Sequence, residues 1–275
     1  QVSILTTSEE EPDSRHERMA DAIEKLISSR GRTHAVPAVQ PALRGITHVP
    51  LPDSQLAPSP IPPRRRARNL AQQARIDSAR RQRAPTMSVC FDLVPDHLER
   101  RVKSILPIVE KNCRRFGLDR AEVLATIHTE SYFNPLAQSS RNAIGLMQLV
   151  PDKGGREAYR FISGKDKIPL TSYLLDPARN IELGCAYMHI LRTRHFGEVR
   201  DSLSRAYCSI AGYNTGPGNV AYAFIGRRGP LGPAITAINR TETPREVYRR
   251  LLEYLPYEET RGYLRRVTDR IKLYR

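Results

Sequence analysis

Asp119-Arg120-Ala121-Glu122-Val123-Leu124-Ala125-Thr126-Ile127-His128-Thr129-Glu130-Ser131 is the stretch from which the rest of the chain is read. Asp119 is placed to cap a helix, because its short carboxylate can accept from the free backbone N–H groups of a first turn. At helical spacing Val123, Leu124 and Ile127 form one apolar stripe, and Glu130 falls on it three residues after Ile127. A carboxyl group facing a core loses water, which disfavours its charged form and raises its pKa. That keeps an acid protonated near neutral pH, ready to give its proton to a leaving oxygen. Periodicity alone leaves a second reading equally open, in which Glu130 ends the helix and reaches solvent. Pro135 then stops the helix by driving its predecessor out of the helical region.

Downstream of Glu130-Ser131 lie a polar loop, Gln138-Ser139-Ser140-Arg141-Asn142, and then Gly145-Leu146-Met147-Gln148-Leu149-Val150-Pro151. Further on comes Ala211-Gly212-Tyr213-Asn214-Thr215-Gly216-Pro217-Gly218-Asn219-Val220. Glu-Ser, Gly-Leu-Met-Gln and Tyr-Asn-x-Gly-x-Gly, in that order, resemble the signature of lytic transglycosylases with a goose-lysozyme-like catalytic fold. Val94-Pro95-Asp96-His97-Leu98, Gly154-Gly155-Arg156-Glu157-Ala158-Tyr159, Asn180-Ile181-Glu182-Leu183-Gly184 and Tyr257 to Leu264 extend the resemblance to the membrane-bound lytic murein transglycosylase C group. It covers roughly residues 92 to 275. Val150 departs from the pattern, since related soluble enzymes carry methionine there.

The resemblance implies an all-α fold class: a lysozyme-like helical catalytic domain preceded by a shortened, mostly irregular N-terminal region. It implies cleavage of the β-1,4 bond between N-acetylmuramic acid and N-acetylglucosamine in peptidoglycan, with 1,6-anhydromuramyl products and Glu130 acting as acid and then as base. By the same resemblance Ser139, Gln148, Tyr187, Tyr213, Asn214 and Tyr263 are substrate-binding or line the cleft, with no metal and no cofactor. The glycan strands of peptidoglycan are the implied partner, and the bacterial cell envelope, at the periplasmic side, is the implied location. Packing is the preferred reading for Tyr173 and Tyr207, and backbone geometry for Gly145, Gly216 and Gly218. Ser131 is as well suited to supporting the helix end as to catalysis.

Glycosidases usually flank the scissile bond with two carboxylates. Glu122 lies on the same helix as Glu130 but about 80° round from it at 100° per residue, and nothing in the sequence puts Asp152 or Glu157 opposite the sugar. A single acid is what the resemblance implies. A hydrolase on the same fold, which would need a second carboxylate, and a non-catalytic polyanion-binding protein are the alternatives.

The chain of 275 residues carries a formal net charge of +15, with an excess of Lys and Arg both before and after residue 95. Such a balance points to a polyanionic partner; a wall carrying peptide carboxylates serves as well as nucleic acid, which is not favoured here, and a surface tuned for solubility is the plain alternative. No run of about 18 apolar residues exists to cross a bilayer, and neither a signal peptide nor a lipid-anchor cysteine is visible near Gln1. Cys90, Cys113, Cys185 and Cys208 have no Cys-x-x-Cys spacing, which argues against a zinc site. His128-x-Glu130 is the start of a zinc-deaminase pattern, but the Pro-Cys-x-x-Cys that must follow is missing. Cys185 and Cys208 fall on apolar helix faces and read as buried small side chains.

Three regions follow from composition. Residues 1–35 form a short N-terminal segment with one helical stretch, Arg18 to Ser29. Residues 36–85 read as a linker: eight prolines lie between Val36 and Pro63, then eight arginines between Arg64 and Arg83 with Asp77 the sole acid. The arginine tract reads better as a solvated flexible tether than as a helix formed on an anionic envelope surface. Residues 86–275 form the catalytic domain, where Cys90 to Val94 resembles the last strand of the family's N-terminal domain. From Pro95 on, the periodicity predicts only helices. Their inner faces carry Leu98, Val102, Ile105, Val109 and Cys113 (ended by Gly117); Ile181, Cys185, Met188 and Leu191 (opened by Asp176-Pro177); Leu203, Ala206, Ile210 and Tyr213; Val247, Leu251 and Leu255; and Leu264, Val267 and Ile271.

Overall fold

The computed structural model describes residues 2–7, 20, 63–72, 75–77, 86–91, 97–241 and 243–275. It divides into two compact units, residues 1–101 with 136–138, and residues 102–135 with 139–275.

The first unit contains a small antiparallel sheet. Strand β1 (Val2–Thr7) pairs with β3 (Thr86–Phe91) in the register Val2 to Phe91 and Thr7 to Thr86, and β2 (Arg75–Asp77) takes the other edge of β3. The irregular region expected at the N-terminus thus holds three strands. Val2, Ile4, Thr6 and Thr7 suit a pleated strand, but the partner of β1 lies some eighty residues away, and local periodicity carries no trace of it. The arginine tract also differs from expectation. Its first half is helix α1 (Pro63–Gln72), with Arg64, Arg65 and Arg68 exposed. Proline fits the first helical position, and Arg, Ala and Leu are good helix formers, so propensity is enough to explain it. The stretch Arg18 to Ser29 lies outside the described residues, apart from Ala20.

The second unit is helical. After α2 (His97–Phe116) come α3 (Arg120–Ser131), α4 (Arg156–Ser163), the single turn α5 (Thr171–Leu174), α6 (Pro177–Ile190), α7 (Ser202–Thr215), α8 (Pro217–Ile225), α9 (Leu231–Asn239), α10 (Pro244–Tyr254) and α11 (Glu258–Ile271). Turns of π type at Pro151–Gly155 and Leu191–His195 lead into α4 and out of α6. The predicted caps form. Asp119 and Asp176 each accept from a backbone N–H three residues on, at 3.0 and 2.9 Å, and Gly117 closes α2 with φ +63°; Asp201 caps α7 in the same way, at 2.6 Å. Val109, Cys113, Ile181, Cys185, Met188, Val247, Leu251, Leu264 and Val267 are buried as their spacing predicts. On α7 the buried face is rotated: Leu203 is exposed, and Ser204, Cys208 and Ala211 point inward. Buried Ser209 returns its hydroxyl to the Arg205 carbonyl at 2.8 Å, so polar residues sit on that inner side at no loss. Cys113, Cys185 and Cys208 are free and buried.

The packing fixes where Glu130 sits. Helix α3 is not amphipathic: every residue from Ala121 to His128 is buried, so it runs through the middle of the unit, with α11 against it. Polar residues on such a helix need partners. Buried Glu122 is met by Arg192 at 2.5 Å, and His128 Nδ1 by the Tyr274 hydroxyl at 2.8 Å. Helix α3 ends before Asn134-Pro135, because Tyr132 and Phe133 both turn left-handed, at φ +51° and +60°. Left-handed backbone costs a residue with a side chain roughly 1–2 kcal/mol. Burial of Phe133, and Arg270 reaching both the Tyr132 hydroxyl (2.9 Å) and Thr129 (3.0 Å), hold this bend in place.

Candidate active site

Glu130 occupies the last turn of α3 and is partly buried. Loss of water pushes its carboxyl up to about 8; the Tyr263 hydroxyl and Arg266 pull the other way, and the Glu259 charge adds to the rise. The acid suspected from its place on an apolar stripe is therefore protonated at neutral pH, and burial is the main cause.

Two tyrosines flank it with different hydrogen-bonding commitments. The Tyr213 hydroxyl donates to the Met147 carbonyl at 2.8 Å. Its single proton is spent there, so toward Glu130 it offers only lone pairs, which suit a protonated acid. The Tyr263 hydroxyl is buried next to Glu130 and makes no hydrogen bond of normal geometry to any described protein atom. Its proton is uncommitted, and it bears on Glu130 by favouring the carboxylate. Burial, then the nearby Glu130 charge, pushes both phenols well above their ordinary range, so each keeps its proton. Tyr187 is buried with its ring 5.4 Å from that of Tyr213.

The Gly145–Gln148 segment is a tight loop closed by paired backbone bonds between Ile144 and Leu149, both 3.0 Å. Gly145 sits at φ +80°, and a β-carbon there would come within 2.2 Å of Asn180 Nδ2. Asn180, fully buried on α6, grips the loop from behind: Nδ2 donates to the Ile144 carbonyl (2.9 Å) and the Leu174 carbonyl (2.8 Å), and Oδ1 accepts from Met147 N–H (2.8 Å). Ser131 donates to the Leu146 carbonyl at 2.8 Å, joining the end of α3 to the same loop. Gln148, at φ +46°, donates from Nε2 to the Gly145 carbonyl at 2.9 Å.

Asn214 accepts from Thr260 Oγ1 at 2.8 Å, linking the glycine-rich turn to α11. Ser139 lies on the exposed loop after Gln138, where its Oγ accepts from Ala143 N–H (3.0 Å) and Arg141 N–H (3.2 Å), leaving the hydroxyl proton to donate. The structure thus gathers Tyr213 and Tyr263 about Glu130, with Tyr187 behind Tyr213. Gln148 bonds back to its own loop and Asn214 to α11, and Ser139 stands on an exposed loop.

Of the three carboxylates weighed as partners, Glu122 and Glu157 are paired with other side chains and Asp152 is exposed. Glu122 is buried against Arg192, and eight residues of helix put it about 12 Å from Glu130 along the axis. Glu157 pairs with His195 at 2.9 Å, Asp152 is exposed, and Glu259 is exposed and paired with Arg141.

Sequence reasoning missed the role of Asn180. A signal was present: Asn180, Gly184 and Tyr187 recur at four and three residues, a stripe on α6 facing the Gly145–Gln148 loop. Gly184 leaves room for Met147, whose sulfur would lie 2.2 Å from a β-carbon there, and Tyr187 covers Gly154. Thr260 left no such signal, because its partner lies 46 residues away.

Residues 107–229 match the family profile described as the transglycosylase SLT domain. The chain is 38% identical over 188 residues to the membrane-bound lytic murein transglycosylase C of Yersinia enterocolitica, covering 68% of this chain and 51% of that protein. The protein of the same name from Yersinia pestis is 38% identical over 187 residues, with the same shares covered. The chain spans about half the length of the curated relatives it matches. Among solved structures, the 70 kDa soluble lytic transglycosylase Slt70 of Escherichia coli aligns with TM-score 0.49 and 26% identity, over 66% of this chain and 25% of that one.

Proposed function

This chain belongs to the transglycosylase SLT family, and from that premise we propose that it is a lytic transglycosylase cutting the β-1,4 bond between N-acetylmuramic acid and N-acetylglucosamine in peptidoglycan. The observation that carries the reading is a partly buried acid kept protonated by loss of water, with Tyr213 and Tyr263 beside it.

Protonated Glu130 gives its proton to the bridging oxygen as the bond to the muramyl anomeric carbon breaks. The 2-acetamido group of the same sugar supports the electron-poor carbon, in the place a protein nucleophile would take. Glu130, now a carboxylate, receives the Tyr263 proton as a hydrogen bond and then removes the proton of the muramyl 6-hydroxyl. That oxygen closes on the anomeric carbon, leaving a 1,6-anhydro ring and a neutral acid ready for the next turnover. No water is consumed, and the attacking group is already part of the bound sugar, which gives it a high effective concentration. Tyr213, with its proton fixed on Met147, favours the protonated acid at the start, and Tyr263 favours the carboxylate midway, so the two tyrosines serve opposite halves of the cycle. Ser139 donates its remaining proton to the acetamido oxygen, Gln148 and Tyr187 line the cleft, and Asn214 holds the glycine-rich turn through Thr260.

The site of action is the cell envelope, at its periplasmic side. Among the described residues no helix is long and apolar enough to cross a membrane. The exposed arginines of α1 suit an anionic envelope surface.

Digestion of purified sacculi by the wild type and by Glu130→Gln tests the reaction. Mass spectrometry is expected to find wild-type fragments lighter by one water than hydrolysis products and no fragments from the variant. Hydrated reducing ends from the wild type would instead mark a hydrolase, and equal activity of the variant would remove Glu130 from the reaction.

A further inference from the structure

The loop carrying Ser139 is moored to α11 by one ion pair, Arg141 Nη1 to Glu259 Oε2 at 3.0 Å. Its place matters more than its strength. Glu259 and Tyr263 are four residues apart on α11, hence on one face and a single turn from each other. Tyr263 faces Glu130, and Glu259 is close enough for its charge to act on that acid. The Arg141 guanidinium, bound to Glu259, therefore stands about one turn of α11 beyond Tyr263.

The pair is built to be exchanged. The two side chains are 81% and 60% exposed, and such a pair contributes only about 0–1 kcal/mol. An arriving carboxylate can take the guanidinium from Glu259 at almost no cost. The substrate supplies one at a matching position: on muramic acid the lactyl ether sits on the ring carbon next to the one bearing the acetamido group. Arg141 follows two residues after Ser139 and donates its own N–H to the Ser139 hydroxyl oxygen at 3.2 Å. With Ser139 on the acetamido group, as proposed above, neighbouring substituents on the sugar would meet neighbouring residues on the loop.

We propose that Arg141 binds a carboxylate of the muramyl residue, the free lactyl group or an acid of the stem peptide, displacing Glu259 and making the groove selective for acidic glycan. The proposal rests on the peptidoglycan reading above. It goes further in assigning a specificity-determining residue outside the catalytic constellation.

Binding of the full chain bearing Glu130→Gln to three insoluble glycans tests it by co-sedimentation: peptide-free strands with lactyl carboxylates, the same strands with those carboxylates amidated, and peptide-bearing sacculi. Adding Arg141→Gln is expected to weaken binding to an acidic glycan about fivefold, the worth of roughly 1 kcal/mol. Arg141→Lys should restore part of it, and Glu259→Gln should tighten binding by releasing the arginine. Arg240→Gln, an exposed arginine elsewhere, controls for net charge. An effect confined to peptide-free strands assigns the lactyl group, one confined to sacculi assigns the stem peptide, and both support the site. An equal loss on amidated strands, an equal loss from Arg240→Gln, or no loss at all overturns it. Arg141-dependent binding alongside an inactive wild type would keep this site and refute the reaction instead.

Discussion

Glu130→Gln should stabilise the protein, by an amount that grows with pH. The native carboxyl titrates at about 8 against an ordinary value of 4.5, so between those limits the folded state holds a proton that the unfolded chain has released. Stability then falls as pH rises, by about 1.4 kcal/mol per pH unit over the middle of the window. Between pH 5 and pH 7 the wild type loses roughly 2.5 kcal/mol on this account, and the full penalty above pH 8 approaches 5 kcal/mol. The variant carries an uncharged amide of nearly the same shape and does not titrate. Local differences between acid and amide add a constant that does not depend on pH. Urea or thermal unfolding of both proteins at pH 5, 6, 7 and 8 checks the slope. The gap in favour of the variant should widen by roughly 2.5 kcal/mol from pH 5 to 7, or about 5–10 °C in Tm for a unit of this size. Parallel stability curves would show that Glu130 ionises freely in the folded state, and the acid role would go with them.

Tyr263→Phe separates function from stability. The hydroxyl makes no hydrogen bond of normal geometry while Glu130 is protonated, so below pH 8 unfolding free energy should stay within about 0.5 kcal/mol, while turnover falls about 10- to 100-fold. The alkaline limb of the activity profile should move above pH 8, since this hydroxyl normally lowers the Glu130 pKa. Asn180→Leu strands the Met147 N–H and the Ile144 and Leu174 carbonyls, and should cost about 3–5 kcal/mol in urea denaturation. Asn180→Asp keeps the acceptor for Met147 and should cost less than Asn180→Leu. Arg192→Met leaves Glu122 buried without its cation and should cost about 3–5 kcal/mol near neutral pH. The loss should shrink as pH falls, because burial raises the Glu122 carboxyl and loss of Arg192 raises it further, so the stranded group takes up a proton; a pH-independent loss would show that packing, not charge, is at stake.

Helix caps and stripes were legible because each depends on residues within one or two turns. Asp119 and Asp176 cap as their positions predict, and most of the apolar stripes of α2, α6, α10 and α11 is buried. The stripe carrying Glu130 rested on a simplified premise. Helix α3 is enclosed on every side, so Glu122 and His128 are buried too, and sidedness alone could not single out Glu130. Their partners, Arg192 and Tyr274, lie 70 and 146 residues downstream, beyond the reach of local pattern.

The sequence by itself determined that a capped helix carries Glu130 in line with an apolar stripe, with its enclosure left open, and that the blocks around Gln148, Tyr213 and Tyr263 accompany it. Only the tertiary structure decided what each group does there. Tyr213 spends its proton on Met147 while Tyr263 keeps its own, Asn180 holds the Gly145–Gln148 loop from behind, and Glu122 and Glu157 are paired with Arg192 and His195. The reason is physical: a proton's position and a carboxyl's pKa depend on which atoms lie within a few ångströms and on how much water is excluded. Those neighbours come from α3, α6, α7 and α11, segments that the chain order keeps far apart.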